Sequence, residues 1–157
     1  MASREHRYAV AVEWTGNTGS GTESYAGYSR DHLLTAPGKP DIAGSSDPDF
    51  RGDPGRWNPE EMLVGALAAC HQLWYLHLCA SAGIRVLAYR DAATGVMAEN
   101  ADGSRQFAQV TLRPEVTIGA GDNVQHARAL HEEAARLCFL ARSVRFPIKH
   151  EPVIVTE

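Results

Sequence analysis

From Met62 to Ile84 the chain carries no Asp, Glu, Lys or Arg, and its apolar positions are not confined to one face. The residues just before it form a helix start. Asn58 suits the cap, Pro59 suits the first helical position, and Glu60 and Glu61 put negative charge on the positive end of the dipole. Gly83 supplies a C-terminal stop. A helix this apolar all round is expected to be buried on every side. The run is long enough to cross a bilayer. His71, Gln72 and His77 interrupt it, however, its leading end is acidic and no basic cluster flanks it, so a core helix is expected instead.

The pattern elsewhere alternates. Tyr8 to Trp14 reads as a strand, Gly16 to Gly21 as a turn-rich link, and Glu23 to Ala36 as one or two returning strands carrying Tyr25 and Tyr28. Pro37 to Trp57, with four prolines and four glycines, reads as one long irregular stretch that delivers Arg51 and Arg56 to the start of the helix. Beyond Gly83, strands are expected over Ile84 to Asp91, Thr94 to Glu99 and Arg105 to Ile118, with Pro114 marking an edge or a bulge. A second helix starts near Asn123, with Ala127, Leu130, Ala134, Cys138 and Ala141 on one face. Pro147 precedes a final strand, Ile148 to Val155. With no repeat or domain boundary, residues 1–157 read as a single α+β domain.

Composition narrows the partners. With 157 residues, 44% hydrophobic and 22% charged, the chain has room for a real core. A net charge of -4 gives no electrostatic case for nucleic acid or an anionic membrane. Residues 1–7 are polar and lack the apolar segment of a signal peptide, and three cysteines, an odd count, fit a reducing cytoplasm. The Gly16–Gly21 link is a poor phosphate cradle, lacking the Lys-Ser/Thr ending and a following helix.

Cys70 and Cys138 lie on the apolar faces of the two expected helices. Cys79 is nine residues past Cys70, which at about 100° per residue puts it on the opposite side. All three suit buried filling. No CxxC pair is present, and the adjacent Cys70 and His71 diverge on a helix, so no metal site is expected.

The segment Asn58-Pro59-Glu60-Glu61-Met62-Leu63 running to Ala68-Ala69-Cys70, with a second cysteine in Ala135-Arg136-Leu137-Cys138-Phe139 before Ser143-Val144, resembles the OsmC/Ohr family of thiol peroxidases. The spacing from Asn-Pro-Glu to Cys is the specific part of the likeness. The resemblance implies an intertwined α+β homodimer, with antiparallel sheets wrapped around a buried central helix pair. It implies reduction of organic hydroperoxides, and less efficiently hydrogen peroxide, without a bound cofactor. Carried over, Cys70 is the peroxidatic cysteine, Cys138 the resolving one and Glu60 an acid that organises the site. An external dithiol, commonly a lipoylated protein, restores the thiols. The alternative is a binding or stress-response module of the same fold, with reactive cysteines and no peroxide turnover. A thiol hydrolase or transferase is weaker, because no His is placed by sequence to act as a base for Cys70.

Glu60 and Cys70 are about 15 Å apart along one helix axis and cannot meet on it. If two copies of the helix cross antiparallel about a two-fold axis, residue i faces residue 130 minus i, and Glu60 of one lies beside Cys70 of the other. The axis then falls near Gly65, where Gly65, Ala66, Ala68 and Ala69 permit close approach. Apolar burial opposes thiolate formation, so the chemistry needs a cation beside the sulfur. In the family an arginine serves. No basic residue lies from Val10 through Ser29, where Ohr-type members carry it, so the resemblance is to the OsmC-type arrangement with the arginine in the loop before the helix; it implies Arg51 first and Arg56 second, with Arg30 third. His71 is read as a hydrogen-bond partner behind the site or as a core histidine. Phe50, Trp57, Trp74 and Phe139 are candidates for lining an apolar pocket.

Overall fold

The computed structural model describes residues 3–157, which gather into two compact units, one ending at Met62 and the other running from Leu63 to Glu157. In the first, β1 (Ala11–Trp14), β2 (His32–Thr35) and β3 (Ile42–Gly44) form an antiparallel meander. The expected strands are trimmed. Tyr8 to Val10 stay outside β1, and Tyr25 and Tyr28 sit in turns before β2, where their rings receive the Arg30 guanidinium. The stretch after Pro37 is also less irregular than expected. It holds β3 and a 3-10 turn over Pro48–Phe50, and Trp57 bridges back to Gly44.

Helix α1 (Pro59–Ser81) starts and stops as its sequence dictates. The Asn58 side chain accepts from Glu61 N–H at 2.8 Å while the Glu61 carboxylate accepts from Asn58 N–H at 3.3 Å, a reciprocal cap. At the other end Gly83 has φ of +72°, and Ile84 N–H reaches back to Cys79 O at 2.9 Å, closing the helix through a left-handed glycine.

The second unit also carries two three-stranded sheets and a second helix. Strands β4 (Val86–Asp91) and β5 (Thr94–Glu99) belong to different sheets. The expected strand from Arg105 to Ile118 is two, β6 (Arg105–Leu112) and β7 (Pro114–Ile118), and the chain changes sheet at Arg113. Pro114 is the first residue of β7, a central strand between β4 and β9, and so is neither at an edge nor in a bulge; the first position spares it a ladder hydrogen bond. The final strand is likewise split, into β8 (Ile148–His150) and β9 (Val153–Thr156), which pair parallel with β6 and β7. The sheets are therefore mixed and not purely antiparallel. Both crossings lie at one level: Glu151 N–H donates to Leu112 O at 2.9 Å, and Arg113 pairs with Glu151 at 3.3 Å.

Helix α2 (Val124–Leu137) is capped by the Asn123 side chain, which accepts from His126 N–H at 2.9 Å. It buries Ala127, His131 and Ala134 against Tyr75, Cys79, Val116, Ile118 and Ile154. A second cluster gathers Leu67, Val110 and Leu112 with Phe107, Phe146 and Ile148. Within this chain α1 buries only the stripe Leu67, His71, Tyr75 and Cys79. The expectation of burial on every side is not met, because Gly65, Ala66, Ala69, Leu73 and Ala80 are exposed.

Candidate active site

Cys70 stands on α1 beside the buried stripe and is half-buried. Cys138 is the residue at which α2 ends. Its N–H still donates to Ala134 O at 2.9 Å, but its ψ of 117° turns the chain outward. The fold thus brings two thiols from distant parts of the sequence together, close enough for Cys70 to act on Cys138. Cys138 Sγ also accepts from Ala141 N–H at 3.5 Å. Burial first, and Cys70 second, push the Cys138 thiol up to about 11. Cys138 therefore holds its proton at neutral pH. Beside the pair, Phe139 meets Trp74 edge to face at 5.4 Å, and Phe139 is 66% exposed, so an accessible apolar surface adjoins the sulfurs. Cys79 is buried, hydrogen-bonded with Tyr75, and raised by desolvation. All three cysteines are free thiols.

The charged residues expected at the site lie in the first unit, where Arg51 and Glu60 are not bonded to each other. Arg51 is exposed, its guanidinium has no hydrogen-bond or ion-pair partner among the described residues, and it adopts φ of 63°, making it the sole described non-glycine residue with a positive φ. The conformation is held locally. Asp47 caps the 3-10 turn, Arg51 N–H donates to Pro48 O at 3.0 Å and Gly52 N–H to Asp47 O at 3.1 Å. A Cβ on Gly52 would lie 1.5 Å from Ser46 O, so only glycine lets the chain pass there. Arg56 is engaged with Asp31 at 3.3 Å, and both Arg30 terminal nitrogens donate to backbone carbonyls. Glu60 Oε2 is buried with no hydrogen-bond partner among the described residues. A half-buried carboxylate oxygen left this way suits a cation brought from elsewhere. Phe50 and Trp57 also belong to the first unit, and Trp57 is 57% exposed.

His71 is 1% exposed, and its Nε2 lies 3.0 Å from Nδ1 of His131, itself 2% exposed. The His150 ring lies 4.7 Å from that of His71, and the His131 ring stacks on Tyr75 at 3.8 Å. Desolvation, with His150 adding like-charge repulsion, lowers His71 to about 4. Desolvation followed by His71 and His150 lowers His131 to about 3. Sequence reasoning noticed His71 and passed over His131 and His150. The available signal was a histidine in the middle of the buried stripe of α2, between Ala127 and Ala134.

The family model described as OsmC-like protein matches residues 52–152. Among solved structures, an OsmC-like protein of unknown function from Vibrio cholerae aligns with a TM-score of 0.85 at 28% identity, covering 95% of this chain and 100% of that one. An organic hydroperoxide resistance protein from Elizabethkingia anophelis aligns with a TM-score of 0.68 at 16% identity, covering 98% and 100%. The organic hydroperoxide resistance protein OhrB of Bacillus subtilis aligns with a TM-score of 0.62 at 17% identity, covering 94% and 98%. These last two likenesses speak for the fold. Comparison with curated proteins finds no match.

Proposed function

The chain belongs to the OsmC-like protein family, and from that premise we propose that it is a dithiol-dependent peroxidase that reduces organic hydroperoxides at Cys70. The observation that carries this reading is that the fold brings Cys70 and Cys138, far apart in sequence, close enough for Cys70 to act on the buried Cys138 thiol. Two buried structural cysteines need no such contact, whereas a nucleophile and its resolving thiol do.

In the proposed cycle the Cys70 thiolate attacks the distal peroxide oxygen. The O–O bond breaks, the departing alkoxide takes a proton and leaves as an alcohol, and Cys70 becomes a sulfenic acid. The Cys138 sulfur then attacks the Cys70 sulfur. An S–S bond forms, and the sulfenic oxygen departs with the Cys138 proton as water. A small external dithiol, or one carried on a lipoylated protein, returns both thiols by exchange. The Trp74–Phe139 pair offers the alkyl part of the substrate an apolar seat.

A cation is still required at Cys70, and Arg51, the unpaired arginine on a strained loop, is the candidate, with Glu60 to hold it. The reading includes a homodimer in which Glu60 of one copy serves Cys70 of the other. The exposed stripe Gly65, Ala66, Ala69, Leu73 on α1 supports it, being apolar and small enough for a second helix. We place the protein in the cytoplasm, where thiols stay reduced.

The test is a thiol count. One equivalent of cumene hydroperoxide should consume two of the three thiols of each chain, and dithiothreitol should restore them. If no thiol is consumed, the peroxidase reading fails and a binding module of this fold stands in its place.

A further inference from the structure

Helix α2 has a second working face. Arg128, His131, Glu132 and Ala135 follow one another at helical spacing and, with His150 and Pro152, line a cavity of about 420 Å3. That is within the usual size range of small-molecule sites. The polar atom of interest belongs to His131. Its Nδ1 faces His71 Nε2 at 3.0 Å and its ring lies on Tyr75, while its Nε2 is buried with no partner among the described residues. His71 Nδ1 is in the same condition.

A proton count sharpens this. Burial keeps both imidazoles neutral at pH 7, so each carries one N–H. One N–H makes the bond between the rings. The other must then sit on an unpartnered nitrogen. It is on His131 Nε2 if His71 donates, and on His71 Nδ1 if His131 donates. A buried N–H without an acceptor costs about 1–3 kcal/mol. An acceptor held in the cavity relieves that cost and selects the arrangement in which His131 Nε2 carries the proton. Arg128 supplies the matching charge: its Nη1 donates to Pro152 O at 3.1 Å, which fixes the guanidinium beside the cavity with further N–H groups to spare. Of the two imidazoles it is His131 that lines the cavity.

We propose that this cavity binds a small molecule bearing one carboxylate. One oxygen accepts from His131 Nε2–H and the other pairs with Arg128, while the apolar remainder rests on Ala135 and Pro152. Glu132 on the same wall repels a second negative charge and so restricts the site to monoanions. Neither cysteine takes part, so the site stands or falls independently of the peroxide chemistry.

The probe is benzoate, titrated into the full chain at pH 7 while long-range 1H–15N spectra follow the histidine nitrogens. The expected result is a saturable shift of His131 that fixes its Nε2–H form. Benzamide, the same shape without charge, should bind at least about tenfold more weakly, and Arg128→Gln should weaken benzoate by about the same factor. Ala135→Trp, filling the cavity with an indole, should abolish the His131 response while the far-ultraviolet circular dichroism is unchanged. The proposal is overturned by a His131 signal that does not saturate, by benzamide binding as tightly as benzoate, or by undiminished benzoate binding in the tryptophan variant.

Discussion

The two faces of α1 are about equally apolar, yet they are built for different neighbours. The buried face carries Leu67, His71, Tyr75 and Cys79, large or hydrogen-bonding side chains with shaped partners, such as Tyr75 Oη donating to Ala127 O at 2.9 Å. The exposed face carries Gly65, Ala66, Ala69, Leu73 and Ala80, mostly without bulk and left uncovered by the described residues. Hydrophobicity says that a face is covered, while side-chain size and hydrogen-bonding capacity say by what. Cys70 lies at the border, half-buried against Cys138. The sharpest test of that border is Cys70→Ser. Turnover of an alkyl hydroperoxide should fall to the uncatalysed background, a loss of several orders of magnitude. Cys138→Ser should still be oxidised once, to the sulfenic acid on Cys70, and excess hydroperoxide should then carry that sulfur on to sulfinic acid, both read by mass spectrometry.

The buried face can be broken next by acid. His71 and His131 are lowered from the usual 6.5 to about 4 and about 3, and His150 is lowered too, in each case first by desolvation. Between those limits the unfolded chain binds protons that the folded chain refuses. Stability is therefore full above about pH 6.5 and falls as the pH drops toward 4, by about 1.4 kcal/mol per pH unit for each imidazole kept neutral. Urea midpoints measured from pH 7.5 to 4.5 should decline in that direction. His131→Gln should flatten the slope, and an unchanged slope in that variant would mean that the pair is not what titrates.

How much of this the sequence disclosed depended on whether a signal was local. Both ends of α1 were legible because caps are written in the residues that make them: Asn58 and Glu61 at one end, Gly83 at the other. The strand breaks were not. Arg105 to Ile118 alternates throughout, and the change of sheet at Arg113 is fixed by partners far along the chain, Asp91 and Glu151. At the candidate site, Cys70 and Cys138 were set apart from Cys79 by the motifs around them that resemble the family, since their place on apolar faces suited plain burial equally well. The histidine cluster was not legible, because His131 and His150 come together with His71 only when α2 and β8 are in place. Arg56, the second choice for a cation, is occupied by Asp31, which no spacing rule announces.

Core truncation comes third in expected size. Leu67 is 1% exposed and packs with Val110 and Leu112, so Leu67→Ala should cost about 2–5 kcal/mol by removing contacts and leaving a cavity. Leu73, 67% exposed on the opposite face, should cost the single chain less than about 0.5 kcal/mol when changed to Ala. Equal losses at the two positions, read from denaturant midpoints at a protein concentration low enough to keep the chain monomeric, would erase the distinction between the faces.

The smallest effect on the fold is expected at Gly65, and it decides what the exposed face is for. A Cβ built there meets nothing within 4 Å, so the isolated chain has room for a side chain. Replacing an exposed helical glycine also adds helix propensity of up to about 1 kcal/mol. Gly65→Leu should therefore leave the folded chain as stable as before or slightly more so. If a second α1 crosses near this residue, the same leucine must lie between two backbones, and sedimentation should show the dimer dissociating at concentrations where the parent protein stays associated. Gly65→Leu with unaltered association would move the two-fold axis away from the small residues. Glu60 of one copy would then lose its route to Cys70 of the other, because both positions are tied to that axis by the spacing of a single helix.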